Sequence, residues 1–178
     1  MVGNSQLDAM PYCEHQHITF TMPSELWPIF EANPTLLNDL FSLAADTLLK
    51  WAKMQGLEVG IFGALHTYGR GLNWHLHIHL SVTRGGLDKH NIWRSVYFKK
   101  MHVEYHWRRC LIGLLRRKYD ELNLLTSSTN HIQDSRQWHF FLERQYQCYW
   151  NIHFAQKKQE LKQTENNQRR YLKRPPLS

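Results

Sequence analysis

The stretch NWHLHIHLSV, residues 73–82, sets His75, His77 and His79 at every second position, separated by Leu76 and Ile78. Successive side chains of a strand point to opposite faces, and residues two apart share one. The segment therefore predicts a strand with imidazoles on one face and apolar residues on the other. Pattern alone leaves two readings of the imidazoles open. One is a solvent-facing stripe without function. The other is a set close enough for two rings to chelate one divalent ion, imidazole being a common ligand for Mn²⁺, Zn²⁺ and related metals.

LEVGIFGALHTYG (57–69) and WHLHIHLSVT (74–83) read as two strands joined through the glycine-bearing turn GRGLN (69–73). A register that pairs residue 66 with residue 77 brings His66 to the histidine face. Before this hairpin, HITFTM (17–22) alternates and stops at Pro23, which predicts a strand. Leu37, Leu40, Phe41, Ala44, Leu48 and Trp51 recur at helical spacing from Pro34 until Gly56, a suitable terminator. After the hairpin, NIWRSVYF (91–98) reads as a strand and residues 100–124 as a long helix. That helix sets Trp107, Leu111, Leu114, Leu115 and Leu122 on one side and Arg109 and Arg116 on the other. SSTNHIQDS (127–135) reads as a polar loop, RQWHFFLERQYQ as a helix, CYWNIHFA (148–155) as a strand, and 156–174 as a basic, helix-compatible tail ended by Pro175 and Pro176. Mixed order with hairpins and single-helix connections predicts an α+β fold with a central antiparallel sheet flanked by helices.

The chain has 178 residues and is 42% hydrophobic, enough to bury one core, so we expect one domain over residues 1–178 and not a disordered chain. Its net charge of +7 is uneven: residues 94–119 carry +7, residues 157–178 carry +5, and the remainder is −5. Two concentrated basic segments predict a polyanionic partner. The three cysteines, Cys13, Cys110 and Cys148, lie far apart without paired metal-ligand spacing, which argues against a disulfide framework. The sequence shows no export signal and no run of about 18 apolar residues, so we expect a cytoplasmic protein that does not enter a membrane. CEHQH (13–17) lacks the second cysteine that a tetrahedral site would need, and reads as structural. His102, His106, His131 and His139 share no spacing and receive no role. Trp74, Trp93, Trp107 and Tyr68 could stack unpaired bases but are equally core residues, and are left unassigned.

Several ordered blocks carry a family likeness. HTYGRGLNWHLHIHLSVTRGG (66–86) resembles the core block of the rolling-circle insertion-sequence transposases, tyrosine transposases of the HUH endonuclease superfamily, named for its His-hydrophobic-His pair. CEHQHITFTMP resembles the segment that follows the family's Cys-rich zinc region, WNIHFAQK a later strand block, and YLKRPPLS the block containing the nucleophilic tyrosine. The resemblance spans nearly the whole chain. It implies a sheet displaying the histidine pair beside a helix that presents tyrosine. It also implies metal-assisted nicking of single-stranded DNA at mobile-element ends and target, with a 5′-phosphotyrosyl link and a free 3′-hydroxyl as products.

Carried over by position, His77 and His79 are the metal-binding pair and Tyr171 is the nucleophile. His66 matches a family histidine, and the hairpin makes it the third ligand of a divalent ion, Mg²⁺ or Mn²⁺. Arg109, Arg116, Arg170, Lys173 and Arg174 are the DNA-binding candidates, and residues 156–178 the tail or helix that carries the tyrosine. Many relatives place two tyrosines four residues apart, whereas Asn167 stands in the first position here. The chain also lacks the upstream zinc region and the family's C-terminal part, as expected of a truncated member. Two alternatives remain beside the nickase: an inactive remnant that still binds single-stranded DNA, and another histidine-dependent metallohydrolase with water as nucleophile.

Overall fold

The structure, a computed structural model, describes residues 14–68, 74–124, 132 and 134–155. Strand β1 (His15–Phe20) is followed by a short helix α1 (Trp27–Ala32) and the long helix α2 (Leu36–Met54). A hairpin of β2 (Ile61–Tyr68) and β3 (Trp74–Thr83) comes next, then the small pair β4 (Gly85–Leu87) and β5 (Trp93–Ser95). Helices α3 (Lys100–Arg117) and α4 (Ser135–Gln147) and strand β6 (Ile152–Phe154) complete the described chain. The main sheet has the order β2-β3-β1-β6 and is antiparallel at each pairing, while β4 and β5 form a separate two-stranded sheet. The fold is α+β, with a central antiparallel sheet flanked by helices.

Alternation along β3 divides the sheet into two unlike faces. Leu76, Ile78, Leu80 and Val82 are fully buried, and Ile18 and Phe20 of β1 pair with Leu80 and Ile78 and extend the same apolar face. Helix α2 covers it with Leu36, Leu40, Ala44 and Leu48, and the same four-residue repeat, which keeps one side of a 3.6-residue helix apolar, runs on to Ala52 in a small separate cluster with Leu57 and Val96. Gly56, at φ +72°, turns the chain out of this helix in the left-handed conformation that glycine adopts without penalty. Helix α3 adds Val103, Trp107 and Leu111 to the core. The Trp107 ring meets Phe20 edge-on at 5.1 Å, and its indole N–H donates to the Thr21 carbonyl at 2.8 Å, so a large buried aromatic leaves no polar atom unmet.

Several element boundaries differ from expectation. Strand β1 starts at His15, two residues earlier than predicted, which adds His15 and Gln16 to a strand that already held His17. Helix α3 stops at Arg117 instead of running to residue 124, and Tyr119–Glu121 form a 3₁₀ turn. Asn33 accounts for the stop: its side chain donates to the Asn123 carbonyl at 3.0 Å and accepts from the Asn123 amide at 2.7 Å, holding that segment off the helical path. The strand expected over residues 91–98 is confined to Trp93–Ser95. The predicted turn 69–73, most of the predicted loop 127–135 and the tail from residue 156 lie outside the described residues. Ile132, within that loop, is buried in the core.

Candidate metal centre

The second face of the sheet is where the histidines stand. In the β2–β3 pairing His66 lies opposite His77 and Ala64 opposite His79, the register that brings all three imidazoles to one face. Their ring centroids are 5.2 Å apart for His66 and His77, 4.8 Å for His66 and His79, and 4.8 Å for His77 and His79. One ligating atom from each lies within 4.8 Å of the other two. The pairing is irregular between His66 and Tyr68, and such bulges bend a strand and re-aim the side chains beside them.

Hydrogen bonds define which nitrogen each ring offers. His77 donates from Nδ1 to the His75 carbonyl at 2.8 Å, leaving Nε2 as the lone-pair nitrogen. A backbone carbonyl in this position is a common way to fix the tautomer and orientation of a metal-ligating histidine. His79 directs Nδ1 toward Thr19 Oγ1 at 3.1 Å and His17 Nε2 at 3.2 Å, so its Nε2 is also the outward nitrogen. Burial, followed by the neighbouring His77, His66 and His17 charges, pushes the His79 pKa down to about 3. His79 is therefore neutral at physiological pH, the form in which imidazole ligates metal. His75 is lowered as well, by burial and then by His77.

Three imidazoles on two rigid strands fit a divalent ion of the Mn²⁺ or Zn²⁺ kind, and fit Mg²⁺, with its preference for oxygen, less well. Nitrogens sharing one ion at ~2.1 Å sit roughly 3–3.5 Å apart in tetrahedral or octahedral arrangements. Three imidazoles holding one ion would leave coordination positions open, the arrangement known from catalytic sites.

The other predicted residues are placed differently. Arg109 and Arg116 are exposed on α3, in the helical layer over the apolar face, and the structure does not bring them together with the histidines. Arg116 is engaged at 3.2 Å by Glu143 in an exposed ion pair. Tyr171, Arg170, Lys173 and Arg174 lie outside the described residues. His75 packs edge-on against Trp27 and neighbours His77, but is not one of the three converging ligands. Trp107 is core, Trp93 is exposed, and Trp74 is partly buried against the core.

His17, read as structural within CEHQH, and Thr19, given no role in the sequence, both touch His79. The signal was present as HQHIT, residues 15–19, which repeats the every-second-residue pattern of β3. Only the β1–β3 pairing, which sets His17 opposite Ser81 and Thr19 opposite His79, gives that pattern its meaning.

Comparison with known proteins identifies the chain's relatives. A profile of the Y2 transposase family, described as "Putative transposase", matches residues 60–178 and so includes both histidine strands. The transposase for insertion sequence element IS801 of Pseudomonas savastanoi pv. phaseolicola is 44% identical over 97% of this chain and 42% of its own length. "Putative transposase y4qJ" of Sinorhizobium fredii (strain NBRC 101917 / NGR234) is 36% identical over 42% of this chain and 20% of its own. The chain thus spans less than half the length of either relative. No solved structure gives a significant match. Among the described residues no helix is long and apolar enough to cross a membrane. With two thirds of its residues under the family profile, the chain belongs to the Y2 family of insertion-sequence transposases.

Proposed function

We propose that this chain nicks and transfers single strands of DNA for rolling-circle transposition, with Tyr171 as nucleophile and His66, His77 and His79 as ligands of a divalent ion. The observation that carries the reading is the convergence of these three histidines, from two strands, on the open face of the sheet in a chain of transposase ancestry. A bound divalent ion would polarise a phosphoryl oxygen and neutralise the charge that develops in the transition state. The all-nitrogen donor set favours Mn²⁺ over Mg²⁺.

The chain's own residues carry the remaining steps. The Tyr171 phenol, with an unperturbed pKa of ~10, is a poor nucleophile at neutral pH, and Arg170, Lys173 and Arg174 beside it in sequence favour its phenolate. Its oxygen bonds to phosphorus, the bond to the 3′ oxygen breaks, and that oxygen takes up a proton to become the free 3′-hydroxyl. The phosphodiester survives as a 5′-phosphotyrosyl link, so a later 3′-hydroxyl can reverse the exchange and join strands without a nucleotide cofactor. With Asn167 where many relatives carry a first tyrosine, each chain supplies one nucleophile from this block. Arg109 and Arg116 in the first basic segment, and the arginines and lysines near Tyr171 in the second, neutralise DNA phosphates. We place this activity in one domain, acting in the cytoplasm.

The test is incubation of the protein with labelled single-stranded oligonucleotides and Mn²⁺, followed by denaturing electrophoresis. Wild-type protein should yield one covalent adduct that maps to Tyr171, and Tyr171→Phe should bind DNA and yield none. Binding of metal and DNA without adduct by the wild type would identify a DNA-binding remnant. Cleavage without adduct would identify a metallohydrolase that uses water.

A further inference from the structure

We infer that His17 is a positioning residue for the candidate metal centre: it holds the proton of His79 on Nδ1 and so keeps Nε2 bare toward the ion. The inference rests on the reading of His66, His77 and His79 as ligands. His17 stands on β1, outside the β2–β3 hairpin that supplies those ligands, and is buried with only 7% of its surface exposed. Its ring stacks on that of His79, with centroids 5.3 Å apart and planes 23° from parallel. Its Nε2 is 3.2 Å from His79 Nδ1 and its Nδ1 is 3.0 Å from Ser81 Oγ.

These contacts form a chain that runs in one of two directions. In the first, His79 Nδ1–H donates to His17 Nε2 and His17 Nδ1–H donates to Ser81 Oγ, which leaves the His79 Nε2 lone pair open. In the second, Ser81 O–H donates to His17 Nδ1 and His17 Nε2–H donates to His79 Nδ1. A neutral His79 then carries its proton on Nε2, where an ion would bind. The tautomer of His17 is therefore tied to that of His79, and a metal-bound His79 requires the first direction. The Thr19 hydroxyl, 3.1 Å from His79 Nδ1, offers a second acceptor for the same proton. Such outer partners of a ligating histidine fix its tautomer and its orientation.

The test titrates the full chain with Mn²⁺ and follows the loss of the free-ion electron paramagnetic resonance signal in wild type, His17→Phe, His17→Gln and Ser81→Ala. The Phe variant keeps a stacked ring but has neither nitrogen, and its Mn²⁺ affinity should fall about 10- to 100-fold. The Gln variant places an amide that both accepts and donates, and should recover most of the loss. Wild-type affinity in His17→Phe, or a Gln variant no better than Phe, would overturn the inference and leave the three-ligand reading standing. Absence of Mn²⁺ binding by the wild type would instead remove the three-ligand reading, and this one with it. If His17→Phe does not fold, Ser81→Ala decides: weaker Mn²⁺ binding supports the role of the chain, and unchanged binding overturns it.

Discussion

Substituting Gly63 with Ala tests whether the closeness of β2 and β3 builds the histidine site. Gly63 lies opposite Leu80 in the pairing. A β-carbon there would collide with the His79 carbonyl oxygen and stand 2.5 Å from Leu80 Cδ2 and 3.0 Å from Leu80 Cα. Two of those three atoms are backbone, which cannot swing aside as a side-chain end can, so the strands must part locally. Overpacking of this kind costs about 1–3 kcal/mol. For a chain of this length each kcal/mol lowers the melting temperature by roughly 2–4 °C, which puts the expected fall at about 2–12 °C. The struck carbonyl belongs to His79, and His66 lies three residues further along the displaced strand. Mn²⁺ affinity should therefore fall although no ligand has been removed. Gly56→Ala is the control: nothing lies within 4 Å of its added carbon, but φ is +72°, so backbone strain should lower stability without touching the metal site. Circular-dichroism melting paired with Mn²⁺ titration reads both quantities. Wild-type melting and wild-type affinity in Gly63→Ala would refute the argument that close strand approach sets the ligand geometry.

Single substitutions of His66, His77 or His79 by Ala should each weaken Mn²⁺ binding severely in isothermal titration. His75→Ala should be mild, because His75 supports His77 through its carbonyl and not its ring. The metal-free protein should lose stability as pH falls. The His79 pKa is lowered on folding from 6.5 to about 3, so its contribution is intact above pH 6.5 and lost progressively below it, by roughly 2 kcal/mol after allowing for the ring's partial exposure. Melting against pH should show a smaller acid sensitivity in His79→Phe, and equal sensitivity would show that burial of this imidazole is not the cause. Single-stranded DNA affinity should fall steeply with salt, with a logarithmic slope near −3.5 if about five phosphates are neutralised. A flat response in fluorescence anisotropy would remove the basic segments from the DNA interface.

Local pattern carried the reading of the sheet and long helices, and long-range ties defeated it elsewhere. Strand β3 keeps its expected bounds, Trp74–Thr83, because both faces obey one alternation. Helix α2 was legible from its four-residue apolar repeat. Leu122 continued the apolar spacing of α3 on paper, but in the fold it packs against the core from beyond the helix, on a segment held by Asn33, 90 residues away in sequence from its partner Asn123. No local propensity encodes that tie. The short β5 is likewise a product of pairing: its residues are exposed, and its partner β4 is only three residues long. In the site, the His66 placement was accessible because a hairpin register is a local matter. The His17 contact was not, since it depends on β1 inserting between β3 and β6.

That insertion also bears on how a nucleophile from the C-terminal segment could meet ligands from the middle of the chain. Strand β6 pairs with β1, and just past its end the Ala155 amide donates to the His17 carbonyl at 3.0 Å. The buried Gln16 amide donates to the Ala155 carbonyl at 3.0 Å, so the chain leaves the sheet from a point pinned to the backbone of the residue that contacts His79. Tyr171 follows 16 residues later in the sequence. At a helical rise of ~1.5 Å per residue that length would span roughly 24 Å. The same strand β1 thus touches a candidate ligand through His17 and holds residue 155, the last described residue before the segment that carries the candidate nucleophile in sequence.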